Sequence, residues 1–410
     1  MNGPIVLDVS RLLSRAERRV PTGIDRVEHA YAEGLLRVAR DRLRYAAVHP
    51  LGRFCHLPTA RTRSFVERMG QEWQNEMPVV GRGEGGDAKA LAWRLQASMM
   101  LPHVPPRFLR RKAGRATYLL VSHHHLHQPE AIEAARRKLD STFVCFIHDL
   151  IPIEFPEYGR AKEAEKHRRR METAARYADA FVVNSASTEE ALRPFMRAAG
   201  REVPLLVAPL GVHEVSAPVE AQPDPERPYF VYVGTIEPRK NHLLLFHIWR
   251  RLAEAMGPDT PRLVLVGQRG WENEMVLDVL ERSVLLRDHI TEHNALPDKQ
   301  VRGLIAGARA VLLPSFAEGY GLPVAEALSL GTPVLCSDLP ALREVGGAAA
   351  EYLDPLDGLG WGAAILDYLD PASERRRAQV QRIAAWSRPE WGGHIDAVVQ
   401  LIAEVSGRGG

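Results

Sequence analysis

The sequence is poor in cysteine and contains no long apolar run, and both shortages narrow the class of protein. Its three cysteines, Cys55, Cys145 and Cys336, lie far apart, and two of them fall in apolar, strand-like runs. This spacing favours buried thiols in a reducing compartment over a disulfide framework or a zinc site. No stretch of about 18 consecutive apolar residues is present, so the sequence offers no segment that would span a bilayer.

A secretory signal and a strong net charge are also missing. The N-terminal stretch "MNGPIVLDVSRLLSRAERR" lacks a basic start followed by a long apolar core, so we expect a cytoplasmic protein. The formal net charge is only +2, but residues 1–220 carry 34 basic against 26 acidic residues, and the remainder carries 19 against 25. A basic half beside an acidic half suggests an anionic partner for the first half, unless arginines merely solvate its helices.

The apolar runs alternate with longer helical patterns, and they do so in two blocks. A length of 410 residues and the proline-rich stretch "SAPVEAQPDPERP" (216–228) predict an N-terminal domain over 1–212, a linker over 213–228 and a second domain over 229–387. Continuous apolar runs favour parallel strands covered on both faces, hence two doubly wound α/β domains. The predicted strands are "IVLDV" (5–9), "TYLLVS" (117–122), "TFVCFIHD" (142–149), "AFVVNS" (180–185), "PLLVAP" (204–209), "YFVYVGT" (229–235), "RLVLVG" (262–267), "RAVLLPS" (309–315) and "PVLCSD" (333–338).

Segment 50–115 interrupts this alternation. From Ala88 to Pro129 there is no acidic residue, whereas "ALAWRLQASMMLPHVPPRFLRRK" mixes Trp, Leu, Met and Phe with cations. This composition is typical of contact with anionic lipid headgroups or with an anionic acceptor, and we expect peripheral membrane contact through 88–115. The alternative is an ordinary helix that packs its apolar residues inward and lets its arginines reach the solvent.

Three further motifs carry little functional weight. "GRGEGG" (81–86) matches a dinucleotide-binding pattern, but no acidic residue for a ribose follows between Asp87 and Glu130. "HHHLH" (123–127) follows a strand, so its side chains diverge, and no carboxylate or thiol at ligand spacing accompanies it. The basic helix "HRRRMETAARYADA" (167–180) lacks a base-stacking or base-reading motif. We therefore expect no metal, no cofactor and no nucleic-acid partner.

The candidate binding residues lie in stretches at the ends of the second domain's predicted strands. In "VGTIEPRKN" (233–241), Arg239 and Lys240 come just before a helix, where two cations and free amides favour a diphosphate. In "VGQRGWE" (266–272), Gly267 permits close approach of a flat ligand. Gly319 and Gly321 free the backbone so that successive amides can point toward an anion, and Pro323 suits the first turn of a helix.

The stretch "FAEGYGLPVAEAL" (316–328) places two glutamates eight positions apart. With a helix starting near Leu322 or Pro323, Glu326 lies one turn into the helix and Glu318 lies in the preceding loop. This is not the arrangement of a hydrolase pair that flanks one bond. Glu326 is better suited to accept hydrogen bonds from ribose hydroxyls, and Glu318 to face a sugar or a phosphate.

At this point the second half resembles the donor domain of the retaining family-four glycosyltransferases, which have the GT-B fold. The residues that carry the resemblance are "GTIEPRKN", the E-x7-E pattern of Glu318 and Glu326, and "GTPVLCSDLPALREVGGAAAEYLDPLD". The first half is similar only in patches: the glycine loop "PTGIDRVEHAYAEGLL" (21–36), "FIHDLIPIEFPE" (146–157), which is similar to polysaccharide-assembling members, and "ADAFVVNSASTEEAL" (178–192). Asp25 stands where the family more often has glycine.

The resemblance implies two Rossmann-like domains facing a central cleft, with the helix over 388–410 returning to the first domain. It implies that Arg239 and Lys240 bind the donor diphosphate without a metal, that Glu326 holds the ribose, and that Glu318 contacts the sugar. Gly23 and His148 would approach from the first domain, and the implied catalytic residues are His148, Glu318, Arg239 and Lys240. The other residues implied to bind the donor are Gly234, Gly267, Asn294, Leu296, Gly319, Tyr320, Gly321 and Leu322.

The implied activity is retaining, metal-independent transfer of a hexose or deoxyhexose from a nucleotide diphosphate sugar to a glycan or a polyprenyl-linked glycan in cell-surface polysaccharide synthesis. GDP-mannose is the expected donor, because the His-Asp stretch is similar to that of polysaccharide-assembling members. The alternatives are a nucleotide-sugar epimerase of the same fold and a catalytically silent scaffold subunit. The sequence leaves the donor base, the acceptor, the linkage and the oligomeric state open.

Overall fold

The computed structural model describes residues 3–18, 20–49, 52–74, 87–100, 115–213 and 227–407, and these form two compact units. Unit 1 comprises residues 1–153, 165–211 and 390–410, and unit 2 comprises 154–164 and 212–389. The predicted boundaries do not include the short segment 154–164 in the second unit. Most of the predicted linker, the motif "GRGEGG" and much of the basic segment 50–115 lie outside the described residues.

Unit 1 is built on one sheet with helices between most of its successive strands. Its sheet has the order β3-β2-β1-β4-β5-β6-β7, in which only the β2–β3 pair is antiparallel. The elements are β1 (Ile5–Asp8), α1 (Ser10–Arg15), α2 (Gly23–Val38), β2 (Leu43–Val48), β3 (Phe54–Leu57), α3 (Thr59–Gln74), α4 (Ala88–Ser98), β4 (Ala116–Leu120), α5 (Pro129–Leu139), β5 (Ser141–Ile147), α6 (Ile151–Glu154), α7 (Glu163–Tyr177), β6 (Ala180–Val183), α8 (Ala186–Ala198) and β7 (Leu205–Val207). Strands β1, β4, β5 and β6 are buried along their whole length, as parallel strands between two helical layers must be.

Unit 2 has the strand order of a doubly wound nucleotide-binding fold. Its six strands run β10-β9-β8-β11-β12-β13, all parallel, so the chain order reverses between β8 and β11. The elements are β8 (Tyr229–Val233), α9 (His242–Met256), β9 (Arg262–Val266), α10 (Glu274–Arg282), β10 (Ile290–His293), α11 (Asp298–Gly307), β11 (Val311–Leu313), α12 (Leu322–Ser329), β12 (Val334–Ser337), α13 (Pro340–Gly346), β13 (Glu351–Leu353), α14 (Gly358–Leu369) and α15 (Glu374–Ala384). In open α/β sheets a ligand binds at the carboxyl ends of the strands where the order reverses.

The last helix, α16 (Trp391–Gly407), belongs to unit 1 and packs on α2 and on the sheet. A Cβ atom at Gly34 of α2 would lie 2.6 Å from Cγ1 of Ile395, so the glycine allows the close approach of the two helices. His394 Nδ1 lies 2.9 Å from the carbonyl oxygen of Pro209, and its Nε2 lies 2.6 Å from the hydroxyl of Tyr31. Because a carbonyl only accepts, Nδ1 carries the proton and Nε2 accepts from the tyrosine.

Every strand that the sequence predicted is present, and four others were missed, namely β2, β3, β10 and β13. Among the described residues, no helix is both long enough and apolar enough to cross a membrane.

Candidate functional site

The point at which the strand order of unit 2 reverses brings together the segments that follow β8 and β11. After β8, a 3-10 turn over Pro238–Lys240 leads into α9. After β11, the chain runs through Ser315 and Glu318 into α12. The two segments are joined by a backbone hydrogen bond from Phe316 N to Arg239 O of 2.8 Å. Residues about eighty positions apart therefore share one edge of the sheet.

The side chains at this edge form a compact network of charges. Glu318 accepts hydrogen bonds from Lys240 Nζ, from Arg239 Nη1 at 3.0 Å and from Ser315 Oγ at 2.7 Å. Arg239 Nε also lies 2.6 Å from Oε1 of Glu237, and Arg239 Nη1 donates to the carbonyl oxygen of Ala317 at 2.8 Å. The side chains of Lys240 and Glu318 are each 7% exposed, and that of Glu237 is 3% exposed. We call Glu237, Arg239, Lys240 and Glu318 the charge quartet.

The charge quartet is electrically balanced, with two cations and two carboxylates. Burial by itself raises the pKa of Glu318, but Lys240 and Arg239 outweigh burial and lower that pKa to about 2. For Glu237 burial prevails, and its pKa lies above the ordinary value despite Arg239. The sequence predicted Arg239 and Lys240 as cations available to an anion, whereas in the structure both are already paired with carboxylates.

Two glycines at the ends of β8 and β9 pack against one another. A Cβ atom on Gly267 would lie 1.9 Å from the carbonyl oxygen of Gly234, so this position excludes any side chain. Gly234 has a φ of +152° and lies beside the hydroxyl of Tyr232, 3.1 Å from where a Cβ would stand. The sequence analysis interpreted Gly267 as a glycine that lets a ligand approach. The structure gives a simpler reason for a glycine here, which is the close approach of the neighbouring backbone.

The segment after β10 carries the two residues that the sequence associated with a base. With its amide oriented to satisfy both neighbours, Asn294 Nδ2 donates to Gly267 O at 2.9 Å and to Glu292 Oε1 at 2.8 Å. Asn294 is exposed, and Leu296 is half-buried. Asn294 thus ties the ends of β9 and β10 together.

The glycine-rich loop leads directly into α12, as the sequence predicted. Gly321 has a φ of +98° and precedes the first helical residue, Leu322. A Cβ atom on Gly321 would lie 2.4 Å from Cδ2 of Leu342, so both the conformation and the space require glycine. Tyr320 is buried, whereas Gly319 and Glu326 are half-buried, Glu326 one turn into the helix.

A strap formed by residues 154–164 covers this loop within unit 2, and the sequence reasoning missed it. The ring of Tyr158 stacks on that of Phe316, with centroids 5.6 Å apart and planes 9° apart. Trp271 Nε1 donates to the carbonyl oxygen of Tyr158 at 3.1 Å, and the guanidinium of Arg160 lies 5.2 Å from the Trp271 ring. Phe316 comes two residues before Glu318, so the strap supports the loop that carries the predicted site.

His148, the predicted catalytic histidine, directly follows β5 in unit 1 and is 5% exposed. Its Nε2 lies 2.7 Å from the carbonyl oxygen of Val121, so Nε2 carries the ring proton and Nδ1 is left as an acceptor. Burial lowers the pKa of His148 to about 4. The imidazole is therefore neutral at pH 7, and it lacks the positive charge that would stabilise a developing anion.

Gly23 is the first residue of α2 and does not have a positive φ. The helix is capped by a reciprocal pair in which Thr22 and Asp25 satisfy each other's backbone amides. Asp25, buried, also accepts from Arg11 Nε at 2.6 Å. The aspartate that departs from the family's glycine therefore caps α2 and holds Arg11.

Two further carboxylates of unit 1 are buried, namely Asp8, the last residue of β1, and Glu28, in α2. Asp8 accepts from the hydroxyl of Tyr118 at 2.7 Å, and Glu28 Oε1 accepts from Leu12 N at 3.3 Å. Burial, followed by the nearby Asp8, raises the pKa of Glu28 to about 8. Among the described residues, no group of three or more His, Cys, Asp or Glu side chains is arranged to hold a metal ion.

Comparisons with known proteins place this architecture in a class. Sucrose-phosphate synthase from Thermosynechococcus elongatus superposes with a TM-score of 0.63, 15% identity and coverage of 99% of this chain and 100% of that one. Anabaena HepE in complex with UDP and glucose gives a TM-score of 0.64, 16% identity, and coverage of 98% and 100%. The chain therefore has two Rossmann-like domains of the GT-B glycosyltransferase fold.

Sequence comparison adds a similarity to a family. Residues 217–352 match the model of the family of glycosyl transferases group 1. O-antigen chain mannosyltransferase B of Escherichia coli is 32% identical over 257 residues, which are 60% of this chain and 66% of that protein. The serotype-specific mannosyltransferase WbdA of Escherichia coli is 28% identical over 249 residues, 56% of this chain and 30% of that protein. The chain thus matches less than two thirds of the length of these relatives.

Proposed function

We propose that this chain is a mannosyltransferase that moves mannose from GDP-mannose to a glycan or polyprenyl-linked glycan during cell-surface polysaccharide synthesis. The observation that carries the proposal is the charge quartet at the reversal point of unit 2, in the segment that matches the glycosyl transferase family. The mannosyltransferase relatives support the choice of sugar. We propose the cytoplasm as the compartment in which the nucleotide sugar is used.

The proposed chemistry follows from charge. When the bond from the sugar to the diphosphate breaks, negative charge develops on the leaving diphosphate. Arg239 and Lys240 sit beside a helix N-terminus, so they stabilise this charge without a metal ion. We propose a retaining reaction in which a diphosphate oxygen takes the proton of the incoming hydroxyl on the same face of the sugar. The acceptor oxygen then replaces the diphosphate at the anomeric carbon.

His148 has a narrower proposed role than the sequence implied. Because Nε2 donates to Val121 O, Nδ1 accepts a hydrogen bond from a sugar hydroxyl instead of donating one. A neutral acceptor orients a hydroxyl without adding charge. Glu326, half-buried in the first turns of α12, is proposed to accept hydrogen bonds from ribose.

Thermal unfolding with nucleotides tests the proposed donor site. With a chelator present, we expect GDP to raise the Tm more than UDP, dTDP or ADP. Ligand at 100 times its Kd adds about 2.7 kcal/mol to the folded state, which shifts the Tm by several degrees. The variant Lys240→Met is expected to lose the response. Arg343→Met, which removes an exposed cation paired with Asp338 in the same unit, is expected to keep it.

The other outcomes separate the alternatives. A response to another nucleotide would replace guanosine as the base, and a response that needs divalent metal would end the metal-independent mechanism. Binding of GDP-mannose with solvent hydrogen exchange into the sugar and no acceptor requirement would favour an epimerase. If none of the four nucleotides raises the Tm, a scaffold subunit becomes the better interpretation.

We propose further that unit 1 contacts an anionic membrane through α4. Trp93 of α4 is 70% exposed, and Met100, two residues beyond the end of the helix, is 61% exposed. Lys89 and Arg94 are exposed on the same helix. Exposed apolar side chains beside cations are typical of segments that lie on anionic lipid. The basic residues of 101–114 follow directly, although their placement lies outside the described residues.

Vesicle sedimentation tests this contact. Replacing Trp93 with glutamate is expected to lower binding to vesicles containing phosphatidylglycerol at least about tenfold, because a large apolar side chain is lost and a repulsive charge is gained. Leu356→Glu provides the control, since Leu356 is 78% exposed in unit 2. Equal binding of both variants and the unaltered chain would remove α4 from the contact.

A further inference from the structure

The charge quartet leaves no free positive charge for a diphosphate. Glu237 and Glu318 neutralise Arg239 and Lys240, and all four side chains are largely buried, with Arg239 the most exposed at 21%. A nucleotide diphosphate sugar brings two further negative charges to these cations. If the nucleotide sugar is bound there, as the proposed function requires, its two negative charges and those of Glu237 and Glu318 lie around only two cations, Arg239 and Lys240. Buried charge of one sign is costly, so the excess favours the uptake of a proton.

The two carboxylates of the quartet are unequal candidates for this proton. Glu318 accepts from three donors, which are Lys240, Arg239 and Ser315. Glu237 is paired with one cation, Arg239, and its side chain is the less exposed of the two. Protonating Glu318 would break three favourable contacts, whereas protonating Glu237 weakens one. Glu237 is therefore the carboxylate of the quartet that we expect to take up the proton.

Among the described residues, the charged groups that act most strongly on Glu237 belong to the charge quartet itself. On its own segment it faces Arg239 and Lys240, and from the segment after β11 it faces Glu318. The hydroxyl of Tyr232, from β8, is a further titratable group that interacts electrostatically with Glu237. From the segment after β9 comes Gly270, which carries no charge; a Cβ atom built on it would stand 3.6 Å from the Cβ of Glu237. Burial already raises the pKa of Glu237 in the absence of a ligand, which makes protonation easier.

We propose that binding of a nucleotide diphosphate sugar in unit 2 transfers one proton from solvent to the carboxylate of Glu237. The protonated carboxyl then releases Nε of Arg239 toward the diphosphate, while Glu318 stays ionised and keeps Nη1 of Arg239 and Lys240 in place. This inference rests on the proposed donor site, and it adds a proton linkage to that site.

Isothermal titration calorimetry with GDP-mannose measures the linkage on the unaltered chain. GDP-mannose is a suitable probe because its diphosphate is a diester with no oxygen that titrates near neutral pH. We expect the observed heat at pH 7.5 to change between phosphate and Tris buffers by an amount that corresponds to uptake of up to one proton. The affinity is expected to rise up to tenfold for each unit by which the pH falls from 8 to 6.

The variant Glu237→Gln assigns the proton. Glutamine imitates the protonated carboxyl, so we expect E237Q to bind GDP-mannose about tenfold more tightly than the unaltered chain at pH 8 and to lose the dependence on pH. A merely structural role would instead weaken binding at every pH. Glu351→Gln, which also loses a carboxylate paired with two arginines in unit 2, is expected to retain the dependence.

Two results would overturn the linkage. Binding of GDP-mannose without a difference between buffers would exclude proton uptake, and a pH dependence that persists in E237Q would assign it to another group. Failure of every nucleotide sugar to bind would instead refute the proposed function. The calorimetry of the unaltered chain decides the first point even if E237Q does not fold.

Discussion

Replacing Glu318 with alanine is expected to lower the free energy of unfolding by about 3–5 kcal/mol and to abolish sugar transfer. The reason is that Lys240 is buried and finds its carboxylate partner in Glu318, so the variant leaves a cation without compensation in a poorly solvated place. The same carboxylate also fixes Arg239 and accepts from Ser315. Urea unfolding monitored by circular dichroism, together with a mannose-transfer assay, measures both losses.

Glu351 provides the matched control for this variant. It too pairs with two cations, Arg375 and Arg382, but these side chains are 39% and 36% exposed. Exposed pairs contribute only about 0–1 kcal/mol each, so Glu351→Ala is expected to cost little stability and to leave transfer intact. Equal losses for Glu318→Ala and Glu351→Ala would contradict the special position of the charge quartet.

Replacing Gly267 with alanine is the second change with a large expected effect. Its Cβ would lie 1.9 Å from the carbonyl oxygen of Gly234 and 2.6 Å from the carbonyl carbon. Backbone cannot rotate out of the way as a side chain can, so the ends of β8 and β9 must separate. We expect a loss of about 3 kcal/mol, at the upper end of overpacking costs, and a loss of the nucleotide-induced rise in Tm.

Gly362→Ala tests whether any glycine replacement in unit 2 has this effect. Gly362 lies inside α14, and the nearest atom to its Cβ position is 4.0 Å away. Alanine is the better helix former, so this control is expected to raise stability by about 0.4–1 kcal/mol. A Gly267→Ala protein as stable as Gly362→Ala would mean that the two strand ends separate without cost.

The strands that the sequence predicted correctly share one property. Runs such as those of β5 and β8 are apolar on both faces because helices cover both faces, and a continuous apolar run is visible without any tertiary information. The strands that the sequence analysis missed lack such a continuous apolar run. The edge strand β10 has the sequence "ITEH" and is half-buried over three of its four residues, so its pattern does not differ from that of a loop. Its existence depends on pairing with β9.

Some features of the candidate site could likewise be predicted from the sequence, and others could not. The segments that follow β8 and β11 meet because both strands are parallel members of one sheet. This meeting could be predicted from the strand pattern alone. The pairing of Glu318 with Lys240 could not, because sequence shows which charges are present but not whether they satisfy one another. The strap was missed for another reason: Tyr158 reaches Phe316 across a sequence separation that no local pattern reports. The roles of the site residues in binding stay predictions.

The composition of unit 1 has a consequence for how the protein is made. Its sheet and helices are encoded before Gly211, yet the helix that covers α2 begins only at Trp391. At the usual 5–20 residues per second, a ribosome needs roughly 10–40 s to cross the intervening chain. During that time the face around Tyr31 and Gly34 has no covering helix from its own chain. Unit 2, encoded almost without interruption, is therefore synthesised before the unit that precedes it is complete, and the first unit must be kept from aggregating until α16 has been synthesised.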